Sequence, residues 1–334
     1  RNMEKKILIT GITGFVGSHF ADYLSKNEKN LKIYGTKRYH LSRLDNIKHL
    51  IKKNKIELLD CDLTDPISVR NLISKLKPEV ILHFAAESFV SPSWEHPNRY
   101  MSVNYNATVN ILDSIKEFCP KSKILIPGSG EEYGEIHENE LPINPETILR
   151  PVNPYAVTKI AQDLIGYVYF KSYDLQVIRT RTFNHEGQRR EYVFGIPWYA
   201  YQISKIENNL QEPILRVGHI DDKRNFTHVK DVVEAYWLAV NFCEPGELYL
   251  IGSDEAGAVF TFRQALEMLI SKSSVNNIEY VQDKRYTRPT NVPFLISNTE
   301  KFRKLTGWTP KITFDQILDD TLEFCRDRIS KEGV

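Results

Sequence analysis

Gly11, Gly14 and Gly17 sit between an apolar run, Lys5-Lys-Ile-Leu-Ile-Thr10, and a helical pattern that continues to about Leu24. A short buried strand that turns through glycines directly into a helix is the opening unit of a dinucleotide-binding fold. Glycine lets the backbone approach a pyrophosphate, which then rests on the helix N-terminus. A plain tight βα turn would carry the same glycines, and the triplet alone is weak evidence. The strand–loop–helix setting and a second strand at Lys32–Thr36 favour the cofactor reading, with Thr13, Phe15 and Val16 inside the same turn.

The alternation continues along the chain. Ile56–Asp60, Val80–Phe84, Lys123–Ile126 and Leu175–Arg179 read as strands. Pro66–Leu76, Val103–Phe118 and Pro151–Tyr173 read as helices. The pattern predicts an α/β fold of Rossmann type, a doubly wound parallel sheet. After Asn184 it loosens into arginines, prolines and short strands to about Pro310, with helices near Lys230–Asn241, Phe262–Ser271 and Phe314–Ser330. Residues 3–183 are expected to bind the cofactor and carry the catalytic groups. Residues 184–330 are expected to form a smaller, mainly substrate-binding region over the carboxyl ends of the strands, where ligands bind in open sheets.

Lys and Arg total 44 against 43 Asp and Glu, so no global basic field invites nucleic acid and any anion must be bound locally. Cys61, Cys119, Cys243 and Cys325 form no CxxC pair and read as reduced, in a cytoplasmic setting. No apolar stretch reaches membrane-spanning length, and no signal peptide opens the chain. Arg1-Asn2 ahead of Met3 reads as a cloning remnant.

The second strand ends in Thr36-Lys37-Arg38, where a carboxylate would normally take the ribose 2′-hydroxyl. Arg38, with Arg43 nearby, suits a 2′-phosphate and favours NADP(H); a solvated surface cluster is the alternative. Asp62 and Leu63 are placed at the adenine, Ala85 and Ala86 at the nicotinamide half. Tyr155 and Lys159, four apart, share one helix face. The Lys159 ammonium is expected to lower the Tyr155 phenol from about 10 and to hold the nicotinamide ribose. Ser129 can hold a substrate hydroxyl beside that phenol. Glu131 reaches the same cleft if its loop is extended, whereas Glu132 is expected to be exposed. His83 and His185 read as structural, and no metal-ligand spacing is present. Asn184-His-Glu186-Gly-Gln-Arg189-Arg190, then Arg216, Arg224 and Arg288, offer guanidinium groups suited to a diphosphate, although surface ion pairing would occupy one or two of them.

Nearly the whole chain resembles an extended short-chain dehydrogenase/reductase of the nucleotide-sugar branch. Asn184-His-Glu-x-x-Arg189-Arg190, Tyr155-Ala-Val-x-Lys159, Asp222-Lys-Arg224 and Arg288-Pro-Thr are similar to segments of GDP-mannose 4,6-dehydratases. Gly128-Ser-Gly-Glu-Glu-Tyr-Gly134 and Arg179-Thr-Arg-Thr-Phe-Asn-His185 look more like GDP-6-deoxy-4-keto-mannose reductases. The resemblance implies NADP(H), a homodimer or homotetramer, and Ser129, Glu131, Tyr155 and Lys159 as the catalytic set. It places Asn184, Arg190, Arg224 and Arg288 at a GDP-sugar, and Ser88, Glu186 and Arg216 are expected to bind the substrate with them. The implied reaction is C4 oxidation, loss of water across C5 and C6, and hydride return to C6. The 4-keto reductase stands as the alternative, with an epimerase or a non-catalytic NADP(H)-binding protein behind it. The chain departs from the dehydratases at Asn291, where they carry Glu, and at Ile196-Pro197-Trp198, where they carry Thr-Arg-Lys.

Overall fold

Seven parallel strands build the central sheet. The computed structural model describes residues 4–332, so the reading of Arg1-Asn2 lies outside the described residues. The strands are β1 (Lys5–Thr10), β2 (Leu31–Lys37), β3 (Ile56–Asp60), β4 (Val80–His83), β5 (Lys123–Ser129), β6 (Gln176–Thr182) and β7 (Leu248–Ile251). They lie in the order β7-β6-β5-β4-β1-β2-β3. The chain winds outward in both directions from β1 and β4, and a crevice opens at such a switch point.

The principal helices are α1 (Phe15–Asn27), α2 (Pro66–Leu76), α3 (Ala107–Phe118), α4 (Pro154–Tyr173), α5 (Gly195–Glu207), α6 (Val229–Phe242), α7 (Phe262–Ser271) and α8 (Phe314–Glu332). β1 shows how the layers form. Ile7 and Ile9 pack with Phe20 and Leu24 of α1 and with Val232 and Tyr236 of α6. Leu8, on the other face, packs with Val69 and Ile73 of α2 and Ile111 and Ile115 of α3. Burial on both faces explains the uninterrupted apolar run of β1.

Three local departures from the sequence reading have physical causes. The helix expected from Val103 begins with a π-helical turn, Ser102–Asn106. That turn carries the buried Asn104, whose amide donates to Thr158 Oγ1 at 3.0 Å and to the Glu87 carbonyl at 3.0 Å. α4 starts at Pro154 rather than Pro151, because Asn153 is extended and its side chain accepts from Ala156 N at 2.7 Å. α5 escaped the sequence reading, since Gly195 and Pro197 obscured its Ile196, Tyr199, Ala200, Ile203 spacing; proline is tolerated in a first turn.

The chain after Asn184 does not stay apart from the sheet. β7 pairs with β6, and α6 lies against α1. The remainder forms a second core in which Ile203 of α5, Leu266 of α7 and Leu318 of α8 meet. Beside it, Lys223–Asn225 is the middle strand between Val259–Thr261 and Phe294–Leu295, which sets Arg224 on a strand.

Candidate active site

The carboxyl ends of the central strands open into a cavity of about 1080 Å³ that continues beneath the second core. Its first half begins at the glycine turn. Gly11 has φ +66°, and a Cβ there would sit 2.7 Å from Ala85 N. A Cβ on Gly17 would meet the Gly11 carbonyl oxygen at 2.2 Å, so the turn admits no side chain at either point. Gly14 caps α1 without a side-chain bond, which leaves first-turn N–H groups available to an anion. Thr13, Phe15, Val16, Asp62, Leu63, Ala85 and Ala86 line the same half. Thr64 donates to the Asp62 carboxylate at 2.7 Å and holds its pKa below the ordinary value.

Arg38 lines the cavity where β2 ends, with Ser42 accepting from its backbone N–H at 2.9 Å. Lys37 is neutralised by Asp60, and Arg43 is exposed outside the lining. No carboxylate among the described residues lies within 4.0 Å of the Arg38 guanidinium. A free cation beside a hydroxyl at this point fits a 2′-phosphate, and the whole cradle fits NADP(H).

β5 and α4 bring the reacting groups together. Ser129 ends β5, and the turn Gly130–Tyr133 follows at once. The Ser129 hydroxyl accepts from Glu131 N at 3.2 Å and lies in the cavity within hydrogen-bonding influence of Tyr155. Tyr155 and Lys159 are both buried on α4 and line the cavity. One expectation is overturned here. Burial raises the Tyr155 pKa well above the ordinary phenol, and the Ser129 hydroxyl only partly opposes it. The Lys159 ammonium donates to the Pro127 carbonyl at 2.8 Å and to Gln162 Oε1 at 2.6 Å. Burial lowers the Lys159 pKa in turn.

Glu131 stands in the same cavity although its loop is a tight turn, not an extended one. Asn153 Nδ2 donates to its carboxylate at 3.1 Å, and Arg288 Nη1 lies 4.0 Å away. Asn153 thus caps α4 with its oxygen and fixes Glu131 with its nitrogen. The Asn-Pro step at 153–154 was the available signal, since Asn before a first-turn proline marks a cap. Glu132, expected at the surface, is fully buried and paired with Arg181 at 2.8 Å. His83 is buried between Thr10 and Thr108, and burial pushes its pKa down to about 3.

Ser88, Asn184, Glu186, Arg190, Arg224 and Arg288 line the second half. Arg190 is partly spoken for: it pairs with Glu186, donates to the His185 carbonyl at 2.5 Å and stacks over Phe194 at 4.0 Å. Arg224 is buried, and burial lowers its pKa. Among the described residues no carboxylate lies within 4.0 Å of it, an arrangement that suits an incoming anion. Arg216 departs from expectation. It projects from the strand Ile214–Val217 with its side chain 53% exposed, lies outside the cavity lining, and only loosely faces Asp283. Trp198, Tyr199, Asp222, Tyr286 and Asn291 also line this half. Asn291 donates to Asp222 Oδ1, so a carboxylate reaches this point from a different element than expected. Arg224→Ala should raise the KM for a nucleotide sugar by roughly 10- to 100-fold, the value of a charge-assisted contact. Arg216→Ala should leave it within a factor of about two. Initial-rate kinetics on both variants check the contrast.

The glycine turn, the seven-stranded parallel sheet and Ser129, Tyr155 and Lys159 at its carboxyl ends define an extended short-chain dehydrogenase/reductase. Residues 8–321 match the family model described as GDP-mannose 4,6 dehydratase, and the chain belongs to that family. It is 29% identical to the GDP-6-deoxy-D-mannose reductase of Pseudomonas aeruginosa, over 99% of this chain and 100% of that one. It is also 29% identical to the GDP-mannose 4,6 dehydratase of Cricetulus griseus, over 96% of this chain and 91% of the relative. The structure of RMD from Pseudomonas aeruginosa complexed with NADPH superposes with a TM-score of 0.81 at 29% identity, covering 97% and 99% of the two chains.

Proposed function

We propose that the chain is an NADP(H)-dependent GDP-sugar 4,6-dehydratase acting on GDP-mannose or a related GDP-hexose or heptose. One observation carries this choice within the family: the Glu131 carboxylate, held by Asn153, shares the cavity with Ser129 and Tyr155 and with Asn184, Glu186 and Arg190 of the dehydratase-like loop, beside which alone it tilts the reading to dehydration. A carboxylate beside the hydride-transfer group supplies the second acid/base that water elimination needs. Bound NADP(H) supplies the hydride acceptor for C4 and the hydride for C6. Ser129 donates to the C4 oxygen, and Tyr155 exchanges the proton of that oxygen. The ketone formed at C4 acidifies the C5 hydrogen; Glu131 removes it and passes a proton to the departing C6 hydroxyl. Arg224 and Arg288 hold the diphosphate.

Incubation with GDP-mannose and catalytic NADP⁺ should yield a product lighter by one water. The reductase relative supports a second reading, in which Tyr155 protonates a 4-keto sugar during reduction and Glu131 only positions it. Stoichiometric NADPH consumption on a 4-keto-6-deoxy sugar, with no water lost from GDP-mannose, would establish that reading instead. Arg38→Ala should weaken NADPH binding by about tenfold or more while leaving NADH binding little changed, by fluorescence titration. The exposed Val157, Leu164 and Val168 on α4 support assembly into a homodimer or homotetramer. Four free cysteines fit a reducing, cytoplasmic setting, and no helix among the described residues is long and apolar enough to cross a membrane.

A further inference from the structure

Beneath the site lies a buried charge cluster that the mechanism has not used. Glu132 is fully buried in the turn after β5. One carboxylate oxygen accepts from Ser129 N at 2.8 Å and the other from Arg181 Nε at 2.8 Å. Arg181 also donates to Asp163 Oδ2 at 2.8 Å and to the Tyr133 hydroxyl at 3.1 Å. Asp163, one helical turn beyond Lys159, is bridged from its other side by Arg179 at 2.7 Å. Gly128 makes room for the arrangement, since a Cβ there would stand 2.5 Å from Glu132 Oε1. Both Glu132 oxygens face donors and neither faces an acceptor for an acid proton, which is the pattern of an ionised carboxylate.

We propose that Glu132 is a positioning residue for proton transfer: it fixes Ser129 through its backbone N–H and supplies, with Asp163, the buried negative charge that keeps Lys159 an ammonium. The idea rests on the reading of Ser129, Tyr155 and Lys159 as the reacting group. The groups around Lys159 come from four elements. β5 and its turn give the Pro127 carbonyl and Glu132, and α4 gives Tyr155, Gln162 and Asp163. β4 gives His83, which stays neutral, and β6 gives Arg181, whose charge is matched by Glu132 and Asp163. Burial acts to neutralise Lys159, while the Glu132 and Asp163 carboxylates act against it. The sign follows. Removing the Glu132 charge lets Lys159 lose its proton at lower pH, and activity that needs the ammonium then fails at lower pH.

The test uses the full chain with bound NADP(H) in two forms, Glu132→Gln and Asp163→Asn, each of which removes one of the two carboxylates that act on Lys159. Each amide keeps the shape of the acid and an oxygen that can still accept from Arg181, and two separate positions guard against the misfolding of one variant. Two readouts are compared: the alkaline limb of the kcat–pH profile on GDP-mannose, and the pH midpoint for acetylation of Lys159 by acetic anhydride, read by mass spectrometry. Both should move down by about one pH unit, a tenfold change in the ionisation equilibrium, with melting temperature and NADPH affinity retained in at least one of the two variants. A folded variant of either kind with the wild-type profile and wild-type labelling midpoint overturns the proposal. So does a fall in kcat with neither midpoint moved. Should the wild type fail to turn over a nucleotide sugar, the functional reading falls, and the Lys159 labelling midpoint still decides the role of Glu132.

Discussion

Tyr155→Phe is expected to lower turnover by about 10³-fold while leaving NADPH affinity and melting temperature close to wild type. Positioned proton transfer is worth roughly 10² to 10⁴ in rate, and this phenol is the group that exchanges the C4 oxygen's proton in either direction of hydride flow. Phe keeps the ring, which packs edge-on against Tyr100 with centroids 6.4 Å apart and contacts Val90, so the fold loses little. The raised pKa sharpens the expectation. Burial keeps the phenol protonated across the working range, so the wild type is poised as an acid, and Ser129, the neighbour pulling the pKa back down, matters when it must act as a base. Ser129→Ala should therefore slow C4 oxidation more than the reverse reduction. Turnover by product mass, with NADPH titration as the folding control, checks the pair. A Tyr155→Phe variant within tenfold of wild type would remove Tyr155 from the chemistry.

What could be read from the chain depended on how local the signal was. β1, its glycine turn and α1 lie within a single stretch, and the positions where a Cβ would collide are the glycines that announce it. The spacing of Tyr155 and Lys159 is likewise a property of one helix. β7 was not legible: four apolar residues, Leu248–Ile251, could pair anywhere, and only the fold places them beside β6. Glu132 misled for the same reason. Two adjacent acids in a turn look solvated, and the partner that justifies burying one of them, Arg181, lies 49 residues away on another strand. Arg216 and Arg224 are eight residues apart and look equivalent in the sequence. One projects into solvent from an edge strand, and the other is enclosed as the middle strand of its sheet.

Glu131→Gln is expected to separate the two halves of the reaction. Gln keeps the shape and can still accept the bond from Asn153 Nδ2, so the turn and the start of α4 should hold. What it loses is the capacity to take a proton from C5 and the negative charge facing Arg288. C4 oxidation needs Ser129, Tyr155 and Lys159 but not a carboxylate, so that half should continue. A rapid burst of NADPH absorbance on mixing with GDP-mannose should appear and persist, with water loss slowed by about 10²- to 10⁴-fold. In the wild type the same signal should stay near baseline, since the cofactor is returned to its starting state in each cycle. Retention of the burst with loss of dehydration assigns Glu131 to the elimination step. If Glu131→Gln dehydrates at the wild-type rate, the carboxylate only positions, and the reductase reading gains the site. Loss of the burst and of dehydration together would place Glu131 in the first half-reaction, beside Ser129, and would pass the elimination to another carboxylate of the cavity, of which Glu186 is a buried one.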